Sequence, residues 1–232
     1  MRLLLLSNST NFGSGYLDHA MAAVREFLGP ARRIAFVPFA LHNREGYVAK
    51  ARERFAREGI ELAGLTPDAR GIAALGEADA VFVGGGNTFR LLDALQRSAL
   101  LEAIRERVKD GMPYMGASAG TNIAAPTIKT TNDMPIIQPR SFDALGFVPF
   151  QINPHYIDAD SASRHMGETR EERLREFLEE NDVPVLGIRE GTWLRCEDTR
   201  LSLHGAAGAR LFRRGADPRE LGAGSLPKDL LA

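Results

Sequence analysis

A single cysteine, Cys196, excludes an internal disulfide and any metal site built from several thiolates. Excess charge of either sign is equally scarce. Twenty-nine Lys and Arg residues stand against 30 Asp and Glu, a formal net charge of −1. Without a basic surplus there is no electrostatic case for nucleic acid or a membrane surface as partner. No apolar run approaches the length that spans a bilayer. Met1–Ser7 is apolar but too short for the core of a signal peptide, and no small-residue cleavage pattern follows it. The expectation is a buried first strand in a cytoplasmic protein. Internal repeats and dividing linkers are also missing, so residues 1–232 read as one domain long enough for a well-buried core.

What is present alternates. Arg2–Ser7, Arg33–Phe39, Glu61–Leu65 and Ala78–Val83 read as strands, and the last runs straight into Gly84–Thr88. Between them, helical periodicity covers Tyr16–Leu28, Asn43–Glu58 and Ala69–Gly76, and then Phe89–Gln96 and Leu100–Asp110. This spacing predicts an α/β fold with a doubly wound, mainly parallel sheet flanked by helices. After residue 125 the pattern changes. Pro126–Pro154 is rich in Pro, Asn, Asp and Gln and is expected to be a functional loop. Thr169 and Glu172 have the spacing of a capping box for a helix over Thr169–Glu179. Val183–Ile188 reads as a further strand. Thr192–Cys196, Leu201–Leu203 and Ala209–Arg213 read as short hairpin strands at the sheet edge.

The chemistry gathers at Gly116-Ala-Ser-Ala-Gly120, a G-x-S-x-G pattern between a strand and a helix start. Such a turn lifts the Ser118 hydroxyl above the sheet edge, and glycines on either side admit neighbouring backbone. The structural alternative is a tight turn of small residues serving packing alone. A serine nucleophile also needs a base, an orienting acid and oxyanion donors. Of five histidines, His19 lies on the first helix, His42 in an early loop, and His165 and His204 among polar or small residues. His155, in Gln151-Ile-Asn-Pro-His155, is fixed by the rigid Pro154 before it and is the candidate base. Two acids compete to orient it: Asp133, in the loop between Ser118 and His155, and Glu190, at the end of a late strand. The sequence does not choose between them.

Gly84-Gly85-Gly86 exposes backbone N–H groups directly after a strand and is a candidate second oxyanion donor beside the N–H of Ala119. A nucleotide-phosphate loop is the rival reading, but no Lys-Ser or Lys-Thr follows it, as a Walker A loop requires. Gly13-Ser14-Gly15 lacks the third glycine of a dinucleotide fingerprint. Arg170 opens the capped helix and could receive a carboxylate. Its charged neighbours Arg173 and Arg175 favour a solvated arginine instead.

Seven motifs, in order, resemble the peptidase E family of bacterial α-aspartyl dipeptidases. They are Leu3–Thr10, Val83–Phe89, Gly116–Gly120, Pro126–Pro135, Gln151–His155, Gly167–Arg170 and Glu190–Trp193, which together span nearly the whole chain. The resemblance implies a fold similar to the class I glutamine amidotransferase domain, with serine as nucleophile. It implies cleavage of dipeptides with an N-terminal aspartate and a free amino group, with no cofactor and no metal. It assigns Ser118 as nucleophile and His155 as base, and it leaves both Asp133 and Glu190 as third member. Arg170 becomes the receptor for the aspartyl side chain, with Asn87, Gly85, Gly86 and Ala119 in the substrate-binding set. The segment between His155 and Gly167 departs from the family in length and sequence, which bears on peptide preference. The small peptide is the expected partner, and the chain is expected to be a monomer or homodimer. Two alternatives stand beside this reading: a cyanophycinase-like hydrolase, and a non-catalytic module binding a nucleotide or anion at Gly84–Thr88.

Overall fold

The first strand, β1 (Arg2–Leu6), sets the architecture. Its four leucines alternate between two cores. Leu3 and Leu5 join one hydrophobic cluster and Leu4 and Leu6 the other, so the strand is buried on both faces. The computed structural model describes residues 1–160 and 166–231. In it β1 lies beside β2 (Arg33–Val37), β3 (Glu61–Gly64), β4 (Ala80–Val83) and β5 (Tyr114–Ala117) as a parallel array in the order β1-β5-β4-β2-β3. A second sheet contains β6 (Gln151–Pro154) and β7 (Val185–Ile188), which pair in parallel. The hairpin of β8 (Trp193–Glu197) and β9 (Arg200–His204) adds antiparallel to the free edge of β1. Next come β10 (Ala209–Phe212) and β11 (Arg219–Leu221) in the second sheet, and β12 (Gly224–Ser225) beside β9.

Helices cover both faces of the main sheet. On one side α1 (Met21–Leu28) and α2 (Arg44–Ala56) bury Val24, Phe27, Tyr47 and Phe55 against Phe36 and Phe82. On the other, α3 (Ala69–Gly76), α4 (Thr88–Arg97) and α5 (Leu100–Lys109) share a core with the second sheet through Leu91, Ile104, Ile152 and Leu186. The short α6 (Ala119–Asn122) follows β5, and α7 (Arg170–Glu180) packs Leu174 and Leu178 on Tyr156, Val185 and Phe212 of the second sheet. Among the described residues no helix is long and apolar enough to cross a membrane.

Three local expectations are corrected. The helix predicted from Tyr16 starts only at Met21. Leu17 adopts φ +60° and donates its N–H to Ser9 O at 2.6 Å, so Tyr16–Ala20 forms turns instead. Gln151–Pro154, read as the end of a loop, is a strand because Val185–Ile188 pairs with it from a distance. Ala209–Phe212 was placed at the main sheet's edge but pairs antiparallel with β7 in the second sheet.

Candidate active site

Ser118 sits where β5 turns into α6, at φ +52° and ψ −109°, a region an L-residue rarely occupies. The turn is held from below. Ser118 donates its N–H to Leu6 O at 3.0 Å, and its carbonyl accepts from Thr121 and Asn122 at 2.9 Å each. The Thr121 hydroxyl reaches the carbonyls of Leu6 and Gly116, and the Tyr114 hydroxyl donates to Gly120 O. The glycines follow from contact: a Cβ on Gly116 would lie 2.4 Å from Gly120 O, and one on Gly120 would lie 2.1 Å from Val83 O. Gly120→Ala is therefore expected to destabilise the protein by about 1–3 kcal/mol through overpacking against backbone. A thermal melt will show a lower Tm, and activity will fall as the Ser118 turn is displaced.

His155 follows β6 at φ +53° and donates its N–H to Ser7 Oγ at 2.9 Å. Ser7 Oγ donates in turn to Ile188 O at 2.8 Å, so one hydroxyl ties the end of β1 to the ends of β6 and β7 in the second sheet. The His155 ring then lies between two partners. Nε2 is 2.9 Å from Ser118 Oγ, and Nδ1 is 2.6 Å from Glu190 Oε1. Glu190 is held in its turn by the Gly191 N–H, which donates to Asn8 Oδ1 at 2.9 Å. From the other flank Asn132 donates to Pro154 O at 2.7 Å and accepts from Asn153 at 2.7 Å.

The competition between the two acids has a geometric outcome. Glu190 meets the histidine ring, whereas the Asp133 carboxylate accepts from Thr88 N at 2.8 Å, Thr88 Oγ1 at 2.6 Å and Thr131 Oγ1 at 3.1 Å. Asp133 thus anchors the first turn of α4. Asn87 caps the same helix, accepting from Arg90 N at 3.0 Å and donating to Met134 O at 2.9 Å, and it is not among the residues that line the cavity. Gly85 lines the cavity, but its N–H donates to the Tyr47 hydroxyl at 2.8 Å. Among the described residues the N–H groups of Gly86 and Ala119 have no acceptor. These two are available for an oxyanion.

Ser118, His155, Glu190, Gly86, Ala119 and Arg170 all line one open cavity of about 810 Å³. Arg170 is half-buried at the start of α7, behind a complete capping box of Thr169 and Glu172. Burial lowers its pKa, Arg173 adds to the shift, and the charge of Asp133 opposes it. A guanidinium so placed still carries its proton at any physiological pH. No carboxylate among the described residues forms an ion pair with it. Tyr47, Tyr16 and Lys50 also line the cavity, and no sequence motif marks them. The faint signal is Tyr47 and Lys50 three residues apart on one helix face. Burial raises the pKa values of Tyr16 and Tyr47, so both remain neutral phenols. His19 and His204 pack on Trp193 rather than on Ser118. His165 and the rest of 161–165, part of the segment expected to influence peptide preference, lie outside the described residues. Among the described residues no three His, Cys, Asp or Glu side chains converge as a metal site would require.

Comparison with known proteins gives a consistent picture. Residues 3–204 match the profile of Peptidase family S51. The chain is 61% identical over 231 residues to Peptidase E of Streptomyces coelicolor, an alignment covering 100% of this chain and 95% of that one. It is 47% identical over 222 residues to a Drosophila melanogaster protein named "Probable alpha-aspartyl dipeptidase", covering 94% and 92% of the two. Its fold is similar to that of a peptidase from an acI-B1 actinobacterium, with a TM-score of 0.72 and 19% identity over 97% of this chain and 96% of the other.

Proposed function

Because this chain belongs to peptidase family S51 and is a serine dipeptidase, we propose that it cleaves dipeptides with an N-terminal aspartate through an acyl-enzyme on Ser118. The observation that carries this reading is the Arg170 guanidinium, which has no ion pair among the described residues and lines the same cavity as the Ser118–His155–Glu190 chain. A partly desolvated cation without a counter-ion is a receptor for a carboxylate. The name of the Drosophila relative, "Probable alpha-aspartyl dipeptidase", points to the same class of substrate.

The distances support the following steps. Ser118 Oγ attacks the carbonyl carbon of the aspartyl residue while its proton moves to His155 Nε2, 2.9 Å away. Glu190 holds the Nδ1–H and stabilises the imidazolium that forms. The carbonyl oxygen, now charged, accepts from Gly86 and Ala119 N–H. Collapse of the tetrahedral intermediate breaks the C–N bond, and His155 returns the proton to the leaving amine. A water molecule, deprotonated by the same ring, then releases aspartate from Ser118.

The test is hydrolysis of Asp-Leu beside Leu-Leu and N-acetyl-Asp-Leu. Asp-Leu alone should be cleaved. Arg170→Met should lower kcat/KM for Asp-Leu by about 10²-fold, the scale of a lost charge-assisted contact in a desolvated site, and should narrow the gap between Asp-Leu and Leu-Leu. Equal cleavage of Asp-Leu and Leu-Leu by the unaltered protein would overturn the aspartyl assignment.

A further inference from the structure

The cavity around Ser118 holds a second cation that the chemistry so far leaves unused. Lys50 lies on α2 and lines the cavity together with Tyr16 and Tyr47. Its Nζ stands 5.0 Å from the centre of the Tyr16 ring. The other cations of α2 are engaged elsewhere. Arg54 pairs with Asp18 and Glu58, Arg52 donates to Leu62 O, and Arg44 lies over the Phe39 ring. Lys50 forms no ion pair among the described residues. Lys50 is itself exposed, and a cation–π contact at an exposed site is worth only about 0.5–1 kcal/mol, so the ammonium can exchange it for a carboxylate while the methylene stem stays on the ring.

The two cations belong to opposite walls. α2 packs with Tyr16, Phe36 and Phe82 on one face of the main sheet, whereas α7, which carries Arg170, packs on the second sheet beyond the other face. Ser118 lies between them at the end of β5. A dipeptide with an N-terminal aspartate has matching symmetry. Its scissile carbon is equally many bonds from the side-chain carboxylate and from the C-terminal carboxylate, and extended it spans about 7 Å. With Arg170 holding the aspartyl side chain, the C-terminal carboxylate is directed at the opposite wall.

We propose that Lys50 binds the C-terminal α-carboxylate of the substrate and so restricts the leaving group to a single residue. This rests on the aspartyl-dipeptidase reading and adds to it a receptor for the other end of the molecule. A compact ammonium on a flexible stem suits a carboxylate whose position shifts with the size of the second side chain.

The experiment compares kcat/KM for Asp-Leu and Asp-Leu-amide in the unaltered protein, in Lys50→Met and in Lys50→Arg. The unaltered protein should favour the free acid by about tenfold, the scale of one charged hydrogen bond. Lys50→Met keeps the stem over Tyr16 and should abolish that preference without changing the preference for Asp over Leu at the first position. Lys50→Arg should restore most of it. The proposal is overturned if the amide is cleaved as well as the acid by the unaltered protein, or if Lys50→Met leaves the ratio intact. In either case the aspartyl reading stands. If Asp-Leu and its amide are both untouched by the unaltered protein, the aspartyl reading itself fails and takes this proposal with it.

Discussion

Ser118→Ala will lower kcat for Asp-Leu by about 10⁴–10⁶ and leave KM within a few-fold, because loss of the nucleophile in a serine hydrolase costs on that scale. The substitution removes one oxygen and keeps the Cβ. The supports of the turn are backbone groups and the side chains of Tyr114 and Thr121, and none of them uses the Ser118 hydroxyl. The fold should therefore melt close to the unaltered protein, which separates lost chemistry from lost structure. A residual rate above that in water is expected, since Gly86 and Ala119 N–H still receive the oxyanion of a direct attack by water. Stopped-flow hydrolysis of a chromogenic aspartyl amide gives a second reading. On the proposed acyl-enzyme route the unaltered protein should show a burst, and the alanine variant should show none. A variant within tenfold of the unaltered rate would exclude the covalent route.

Asp133→Ala is expected to lower kcat/KM by about 10²–10³, the effect of losing an oxyanion donor, although Asp133 does not meet the histidine ring. Its carboxylate receives both the N–H and the hydroxyl of Thr88 and so fixes the first turn of α4. Two residues upstream is Gly86, at φ +129°, whose N–H is free to point at the substrate. Without the carboxylate, the Gly84–Asn87 segment loses its hold on α4 and the donor is misplaced. Asp133 is on this account a positioning residue, and a plain stability defect would look different. An aspartyl aldehyde, whose hemiacetal oxygen occupies the oxyanion position, should bind the variant more weakly in proportion to the loss of kcat/KM. Ground-state binding of aspartate should change much less. Proportional loss of both would mean that Asp133 acts on the substrate pocket as a whole.

How much of this could be read in the chain depends on how local each cause is. The Ser118 turn is written within five residues, because Gly116 and Gly120 are demanded by contacts the turn makes with itself and with the neighbouring strand. Strand–helix alternation likewise follows from the leucines of β1 and their equivalents. The choice between Asp133 and Glu190 is not local. It depends on β6 pairing with β7, which carries His155 and Glu190 to the same edge. That pairing also turned an apparent loop end into a strand and drew Ala209–Phe212 away from the main sheet. Gly85 illustrates a different limit. Glycine was legible as an exposed donor, but the Tyr47 hydroxyl that occupies its N–H arrives from another helix with no motif to announce it. Lys50 is invisible for the same reason, being one lysine on a charged helix until the fold turns it over Tyr16.

The Ser7 hydroxyl joins strands that belong to different sheets, and Ser118 and His155, the proposed nucleophile and base, stand on opposite sides of that seam. Neither half of the molecule holds a working set of groups. Competence is therefore a property of the joint: a chain with each sheet correctly formed but the seam slack would be folded by every spectroscopic measure and inert. The hydrogen bond between Ser118 and His155 acts as a gauge of how well the two halves are seated.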